Sequence, residues 1–192
     1  KNYKEFNSDT KYLNYFDSIV SVEMIEAIGS YALNNYFEII SKILKPNKRF
    51  VIQYIAYNDW FFPITHKNDE KFPTFVTKHI FPGGFIPSQN DVNKHAWLNG
   101  LELSHSETFG KHYGQTLHKW KLNLKNNKQS ILLKYDKSIY YAFEYYLEWC
   151  EALFRSEITT VVQTTFIKRD LSNKMYTNDI GGNLDNTVIN II

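Results

Sequence analysis

The sequence predicts an α/β fold in which helices flank a sheet that contains parallel strands. The first supporting observation is a short apolar run at residues 18–22, SIVSV, which is typical of a strand buried on both faces. The second is the order strand, helix, strand over residues 18–22, 31–44 and 50–55, which predicts a right-handed crossover between two parallel strands. The third is a pair of acids, Glu23 and Glu26, just after the first strand, where open α/β sheets keep their active sites.

The helix predicted at residues 31–44 follows from apolar side chains spaced three and four apart, namely Leu33, Phe37, Ile40 and Leu44. Pro46 cannot continue this helix and therefore ends it. The run FVIQYI at residues 50–55 then predicts the next buried strand.

Residues 56–87 are rich in aromatic residues and proline and are too long for a simple connection. Long connections in compact domains are usually functional or disordered, and so many rings argue against disorder. We therefore expect this segment to have a function.

Helices and strands alternate again after this segment. Ser88 is suited to cap a short helix that runs to about Leu98 and ends at Gly100. Residues 101–109 are typical of a strand, and residues 115–133 are typical of a helix.

Asp136 is predicted to begin a second long helix, which reaches about Arg155 and carries one stripe of large side chains, Tyr141, Tyr145, Trp149 and Leu153. Residues 158–169 alternate well enough for a closing strand. From Asp170 the chain is polar and rich in asparagine, so residues 170–192 are predicted to form a mobile tail.

Composition limits the classes of function. The 192 residues suit one domain with an appended tail, and the aromatic content of 17% can fill either a core or an apolar ligand channel. With 22 basic and 20 acidic residues the net charge is +2, which argues against a nucleic-acid partner. The single cysteine, Cys150, fits a reducing compartment and is interpreted as a buried structural thiol. The sequence shows no apolar run of roughly 18 residues, no signal peptide and no metal-ligand spacing.

Three separated motifs carry a resemblance: FDSIVSVEMIEAIG (residues 16–29), IFPGGFIPS (80–88) and FGKHYGQTLHKW (109–120). Together they resemble the cyclopropane fatty acid synthase family of S-adenosylmethionine-dependent methyltransferases, which act on lipids. The similarity runs from about Tyr3 to Arg169. It implies a Rossmann-like class I methyltransferase sheet flanked by helices, with a helical, aromatic, lipid-binding insertion.

The resemblance also indicates what this sequence lacks. The family's first strand is followed by a glycine-rich loop that cradles the cofactor, and no G-x-G segment occurs among these residues. Aligned by its motifs, the chain holds about strands four to seven of the sheet. Residues 1–169 would then form a partial methyltransferase domain, expected to be inactive alone. The exposed edge of strand four predicts assembly with a complementary amino-terminal fragment or into a homo-oligomer.

The resemblance assigns catalytic roles to Glu26 and Tyr113. In the family, the acid after the fourth strand and the tyrosine of the HYxxTL motif hold a bicarbonate ion beside the substrate. Gln53 and Ile55 match further anion-binding positions, although Gln53 replaces a histidine and cannot relay a proton. From the residues alone, Glu26 could equally stabilise a helix start, where the helix dipole favours carboxylates, and Tyr113 could equally be a packing residue.

The cofactor and the acyl chain are assigned to other positions. Val22 and Glu23 match residues that border S-adenosylmethionine, whose main site would lie upstream of this chain. The acyl-chain lining is assigned to the IFPGGFIPS loop and its surroundings, namely Phe75, Phe81, Gly83, Gly84 and Phe85. Proline and glycine give this loop a shaped turn, so a purely structural role is the alternative.

The predicted function is methyl transfer from S-adenosylmethionine to the cis double bond of an unsaturated phospholipid acyl chain, giving a cyclopropane fatty acid. The predicted partner is that phospholipid at a membrane surface, and the predicted location is cytoplasmic and peripheral to the membrane. Two alternatives stay open. One is a small-molecule amine N-methyltransferase, because plant alkaloid enzymes resemble the same family. The other is a non-catalytic remnant that binds lipid or a partner subunit.

Overall fold

A computed structural model describes residues 3–6, 9–61 and 75–170. Its strands form one mixed, four-stranded sheet in the order β1-β2-β4-β3, with β1 at Phe16–Val22, β2 at Leu44–Tyr57, β3 at Leu101–Thr108 and β4 at Thr159–Lys168. The α-helices in the described ranges are α1 (Leu33–Ile43), α2 (Phe75–His79), α3 (Gln89–Leu98), α4 (Gly110–Asn126), α5 (Lys128–Leu132) and α6 (Lys137–Arg155). The predicted α/β class is confirmed.

Strands β1 and β2 run parallel, whereas β4 is antiparallel to both of its neighbours. The register pairs Ile19 with Phe50 and Val22 with Gln53. The predicted unit of strand, helix and parallel strand is therefore confirmed, with α1 as its helix. Because β1 ends beside Gln53, the acids that follow β1 lie next to the carboxyl half of β2.

Separate apolar cores cover the two faces of the sheet. Helices α1 and α3 pack on one face, where Phe50, Val162 and Phe166 are fully buried. Helices α4 and α6 pack on the other face through Leu117, Leu147 and Phe154, which surround Val161. Val161 and Val162 belong to opposite cores because successive side chains of a strand point to opposite faces.

Helix α1 ends at Ile43, one residue before the predicted end, and a 3-10 turn at Ser30–Ala32 precedes it. Strand β2 then begins at Leu44 and is longer than the predicted strand at residues 50–55. Pro46 accounts for the sharp change, because the residue before a proline is disfavoured in the helical region.

Strand β1 is not buried on both faces, and that prediction is wrong. Val20 and Val22 are 68% and 60% exposed, whereas Ile19 packs against the core of α1 and α3. The reason is position in the sheet. Within the described ranges β1 pairs with β2 alone, and helices α4 and α6 cover β2 and β4 rather than β1.

The caps predicted for two helices are present. The Ser88 hydroxyl accepts the Asp91 N–H at 3.0 Å and begins α3, and the Asp136 carboxylate accepts the Ser138 N–H at 2.8 Å and begins α6. Gly100, with φ of 74°, follows α3 as expected of a helix-ending glycine. Strands β3 and β4 lie within the predicted ranges at residues 101–109 and 158–169.

The helix predicted at residues 115–133 is in fact two helices. Helix α4 begins earlier, at Gly110, and α5 follows after Asn127. Glycine is a weak helix former, so helix propensity does not indicate that α4 begins at Gly110. This correction places Tyr113 inside the first turn of α4.

The large side chains predicted to share a stripe of α6 do not form its buried face. Tyr141, Tyr145 and Trp149 are 50%, 48% and 43% exposed. The buried residues of α6 are instead Tyr140, Leu147, Glu151 and Phe154. The cause is that α4 contacts this second stripe.

Two sequence predictions lie outside the described residues. They are the mobile tail from residue 171 onward and the part of the aromatic segment at residues 62–74, which includes Phe62 and Phe72. None of the helices that the structure describes combines the length and the apolar character needed to cross a membrane.

Phe50 provides a test of the larger core. Its ring is fully buried and lies 6.3 Å from the Phe37 ring and 6.2 Å from the Phe166 ring. We expect Phe50→Ala to lower the free energy of unfolding by about 3–5 kcal/mol, since a large buried ring leaves a cavity. Urea denaturation followed by circular dichroism measures this change. The control Val20→Ala, on the exposed face of β1, should change it by less than about 1 kcal/mol, and equal losses would contradict the assigned core.

Candidate active site

Glu26 lies in the 3-10 turn Ile25–Ala27, directly after β1. Glu23 has a φ of 49°, an uncommon left-handed conformation that turns the chain out of the strand. Ile25 is fully buried in the core of α1 and α3 and anchors the turn. The turn therefore holds Glu26 firmly beside β2.

The two carboxylate oxygens of Glu26 have different surroundings. Oε1 accepts the Ile55 N–H of β2 at 2.6 Å. Oε2 is buried and has no hydrogen-bond partner among the residues that the structure describes. Burial raises the pKa of Glu26 to about 7, against the lowering effect of the bond from Ile55. A carboxyl group that titrates near neutral pH at such a sheet edge is a candidate acid, base or ion-binding group.

The IFPGGFIPS loop packs on Glu26. The Phe85 N–H donates to the Glu26 carbonyl at 2.9 Å, and the Gly84 N–H donates to the Phe81 carbonyl at 2.9 Å. Gly83 has a φ of 76°, and a Cβ at Gly84 would lie 3.0 Å from the Phe81 carbonyl oxygen. The glycine pair therefore permits a tight turn against the acid.

Glu23 and Gln53 belong to a neighbouring hydrogen-bond chain. The Gln53 side-chain amide donates to Glu23 Oε1 at 3.0 Å and accepts from the Gln163 amide at 2.7 Å. The Glu23 N–H also donates to the Gln53 carbonyl at 2.8 Å. The Gln53 amide thus contacts Glu23 rather than Glu26. Val22 and Glu23 are both exposed at the end of β1, where a cofactor was predicted to border the chain.

Tyr113 lies in the first turn of α4. Glu23, Glu26, Gln53 and Tyr113 are together called the polar region below. The Gly110 N–H donates to Thr160 Oγ1 at 3.1 Å, and a Cβ at Gly110 would lie only 2.8 Å from that oxygen. This close contact fixes the start of α4 against β4. The Tyr113 ring packs on Phe154 with ring centroids 4.8 Å apart. Burial raises the pKa of Tyr113, and the nearby Glu23, Cys150 and Glu26 add to this effect.

Tyr146 and Cys150 of α6 interact electrostatically with Tyr113, and the sequence motifs assign neither residue to the site. Both side chains pack against the core of α4 and α6. Burial raises the pKa of the Cys150 thiol to about 11 and raises the pKa of Tyr146 as well. A spacing of four places the two on one helix face, which is the only local signal. Cys150 is partly rather than fully buried, so it is less enclosed than predicted.

An open groove of about 540 Å³ adjoins the polar region. Its apolar lining comes from the IFPGGFIPS loop and helices α4, α5 and α6, and includes Phe81, Leu124, Ile131, Phe143, Tyr146 and Leu147. Trp120 also lines the groove, and its ring centroid lies 6.3 Å from that of Tyr113, so the groove reaches Tyr113.

The five residues predicted to line an acyl chain have different positions. Phe81 lines the groove described above. Phe75 lines a second groove, of about 560 Å³, and its ring packs 4.8 Å from the Tyr145 ring. Phe85 packs against the core of α1 and α3. Gly83 and Gly84 shape the loop, as described above.

The family model of the mycolic acid cyclopropane synthetases matches residues 1–164. The chain therefore belongs to the mycolic acid cyclopropane synthetase family, and the resemblance carried by its motifs is confirmed. The tuberculostearic acid methyltransferase UfaA1 of Mycobacterium tuberculosis is 32% identical over 155 residues, which are 80% of this chain and 35% of that relative. The S-adenosylmethionine-dependent methyltransferase UmaA of the same organism is 30% identical over 158 residues, 79% of this chain and 55% of the relative. The chain thus spans between about a third and about half of the length of these relatives.

Solved structures share the fold. The cyclopropane synthase MmaA2 from Mycobacterium tuberculosis superimposes with a TM-score of 0.72 at 24% identity, over 86% of this chain and 64% of that chain. The mycolic acid cyclopropane synthase CmaA1, complexed with SAH and CTAB, gives a TM-score of 0.69 at 27% identity, over 79% of this chain and 55% of that chain. A putative sarcosine dimethylglycine methyltransferase from Galdieria sulphuraria, at 16% identity and a TM-score of 0.66 over 82% of this chain and 55% of that chain, shares the fold alone. The α/β fold is that of the class I methyltransferases.

The buried acid predicts pH-dependent stability. The folded-state pKa of Glu26, about 7, lies above its ordinary value of 4.5, so the folded state binds the proton more tightly. The resulting stabilisation is present below the ordinary pKa and is lost as the pH rises through about 7. Glu26→Gln stays neutral throughout. Its melting temperature relative to the unsubstituted chain should therefore increase from about pH 5 to about pH 8.

Differential scanning fluorimetry at several pH values measures this difference. Glu38→Gln is the matched control, because it makes the same substitution at an exposed position on α1. A difference for Glu26→Gln that also stays constant over this range would show that the acid is ionised throughout and would contradict the assignment.

Proposed function

We propose that this chain contributes part of the active site of an S-adenosylmethionine-dependent lipid methyltransferase. The proposed reaction adds a methyl group to the cis double bond of an unsaturated phospholipid acyl chain and gives a cyclopropane ring. The observation that carries the proposal is the Glu26 carboxyl group, whose Oε2 is buried and unpartnered among the described residues. The Glu26 backbone holds the IFPGGFIPS loop, and Phe81 of that loop lines the apolar groove. Family membership and the names of the relatives support lipid methyl transfer. The phospholipid acceptor is our own extension, since several relatives are named for mycolic acids.

The chemistry explains why a buried acid would be useful. Methyl transfer to an unactivated alkene leaves a positive charge on carbon, and a proton must then leave the new methyl group before the ring closes. Water would trap such a cation, so the reacting carbons have to lie among apolar side chains that exclude water. The groove lined by Phe81 and Leu147 provides the apolar walls, while Glu26 and Tyr113 provide the polar groups. S-adenosylmethionine, when bound, supplies the electrophilic methyl group.

Glu26 and Tyr113 fit a bicarbonate ion as the proton acceptor. The buried Glu26 Oε2 lacks a donor in the described part of the chain, and bicarbonate carries one O–H. The Tyr113 hydroxyl can donate to an oxygen of the same ion. The Ile55 N–H already bonds to Glu26 Oε1, so its role would be to orient the carboxylate. In the same way the Gln53 amide would orient Glu23.

The cofactor fits these residues less completely. Val22 and Glu23 lie at the end of β1 and could border it, but the sequence offers no G-x-G loop as a backbone cradle. We therefore expect residues 1–192 alone to bind S-adenosylmethionine weakly, with a dissociation constant above about 1 mM, and to be inactive alone. Isothermal titration calorimetry measures the affinity. A micromolar dissociation constant for S-adenosylmethionine with these residues alone would contradict this prediction.

Substitution of the two polar groups tests the proposed reaction. The assay follows product formation from labelled S-adenosylmethionine and vesicles of unsaturated phospholipid, with protein that also supplies the upstream half of the site. Glu26→Gln keeps the shape but loses the charge, so turnover should fall by roughly 10²-fold or more, the usual scale for a positioned acid–base group. Tyr113→Phe removes one hydroxyl and should cost less, with partial rescue by added bicarbonate.

Matched controls separate chemistry from folding. Glu38→Gln and Tyr31→Phe change the same residue types at exposed positions and should leave turnover unchanged. Near-normal turnover of Glu26→Gln would show that this acid has a structural role only. Methyl transfer to small amines, with none to acyl chains, would favour the amine N-methyltransferase alternative.

A further inference from the structure

One tip of the molecule is strongly basic. It is formed by residues 119–137, which include the end of α4, all of α5 and the start of α6. These residues contain six lysines and one acid, Asp136, which gives a net charge of +5. The whole chain carries only +2, so the remaining residues sum to −3. The charge total of the chain therefore conceals this basic tip.

The lysines of the basic tip differ in their partners. Lys121 and Lys125 pair with Glu151 and Glu148, at 2.7 Å and 3.4 Å, and Lys128 lies over two tyrosine rings. The other three are exposed and have no acidic partner within the described ranges: Lys119, Lys134 and Lys137. These three ammonium groups are available to an anionic partner.

Apolar side chains stand exposed among these lysines. Leu133 is 88% exposed, Tyr135 is 58% exposed and Leu132 is 38% exposed. On α4, Trp120 and Leu122 are 48% and 46% exposed. Apolar and aromatic side chains mixed with lysines are typical of surfaces that insert into the head-group layer of a bilayer.

The basic tip is continuous with the apolar groove. Ile131 lines the groove and directly precedes Leu132 and Leu133 in sequence. At its other end the groove reaches Tyr146, next to the polar region. Along α6, the distance from Lys137 to Tyr146 is about 14 Å at the rise of an α-helix, which a long acyl chain can span. An acyl chain that leaves a bilayer at the tip would therefore enter the groove directly.

We propose that the basic tip docks the protein on an anionic lipid bilayer, with Leu133 inserted and with Lys119, Lys134 and Lys137 bound to lipid phosphate groups. The inference rests on the proposed function for the identity of the acyl substrate. An acidic protein would also attract the lysines, but it would not require the exposed Leu133 next to Lys134. Each lysine near an anionic surface strengthens binding by roughly fivefold.

The test is co-sedimentation of the 192-residue chain with vesicles, either of phosphatidylglycerol mixed with phosphatidylcholine or of phosphatidylcholine alone. We expect binding to the anionic vesicles that weakens as salt is added. The double variant Lys134→Gln, Lys137→Gln should lose roughly 20-fold or more in affinity, and Leu133→Ser should lose several-fold at every salt concentration.

The matched controls lie on α3, on the opposite face of the sheet. They are Lys94→Gln and Leu98→Ser, whose leucine is 55% exposed, and both should bind like the unsubstituted chain. Equal losses in the control and tip variants, or no binding to anionic vesicles, would overturn the proposal. Binding to an acidic carrier protein without binding to vesicles would overturn it too.

The experiments distinguish a failure of the docking proposal from a failure of the proposed function. Vesicle binding by a chain whose completed enzyme transfers no methyl group would contradict the proposed function and leave the docking surface intact. Turnover on detergent-dispersed lipid, with no vesicle binding, would contradict the docking surface alone.

Discussion

The hydrogen bond from the Ile55 N–H to Glu26 Oε1, at 2.6 Å, joins the turn after β1 to strand β2. The Glu26 carbonyl accepts the Phe85 N–H, so the IFPGGFIPS loop meets the same residue. Three segments that are distant in the chain thus depend on one side chain and its backbone. Burial of a carboxyl group opposes ionisation, and the backbone N–H groups of Ile55 and Glu26 offset this only in part, which is why the pKa of Glu26 is about 7. The structural and chemical interpretations of Glu26 are therefore compatible.

Local sequence signals were sufficient to predict a helix start where one capping side chain determines it. Ser88 and Asp136 begin their helices as predicted, because a capping oxygen needs only the N–H groups that follow it in the chain. Predictions of helix bounds and of burial were wrong where tertiary contacts determine them. Helix α4 begins at Gly110 because that glycine fits against Thr160, a contact that helix propensity cannot show. Val20 is exposed because none of the helices in the described ranges covers that face of β1, although its apolar character resembles that of a buried strand.

The residues of the candidate site also differ in whether the sequence alone could identify them. Glu26 and Tyr113 were assigned by motif, and their catalytic roles stay predictions. Tyr146 could not be found, because α6 carries several tyrosines and the sequence does not distinguish them. The fold does: Tyr146 lies on the side of α6 that faces the groove, whereas Tyr145 is 48% exposed and packs on Phe75. Gln53 was predicted to bind the anion, but its side-chain amide donates to Glu23. A motif can therefore identify a position without identifying the hydrogen-bond partner of its side chain.

Strand β4 lies between β2 and β3 although it follows both in the chain. During synthesis, β2 is therefore complete long before the strand that covers its second edge exists. About a hundred residues separate Tyr57 from Thr159, and at the usual pace of translation their synthesis takes roughly 5–20 seconds. Throughout that interval the nascent chain presents an open, apolar strand edge to every neighbouring polypeptide. Early folding of this protein is thus a period of exposure to misassembly, and it ends only when the residues of β4 leave the ribosome.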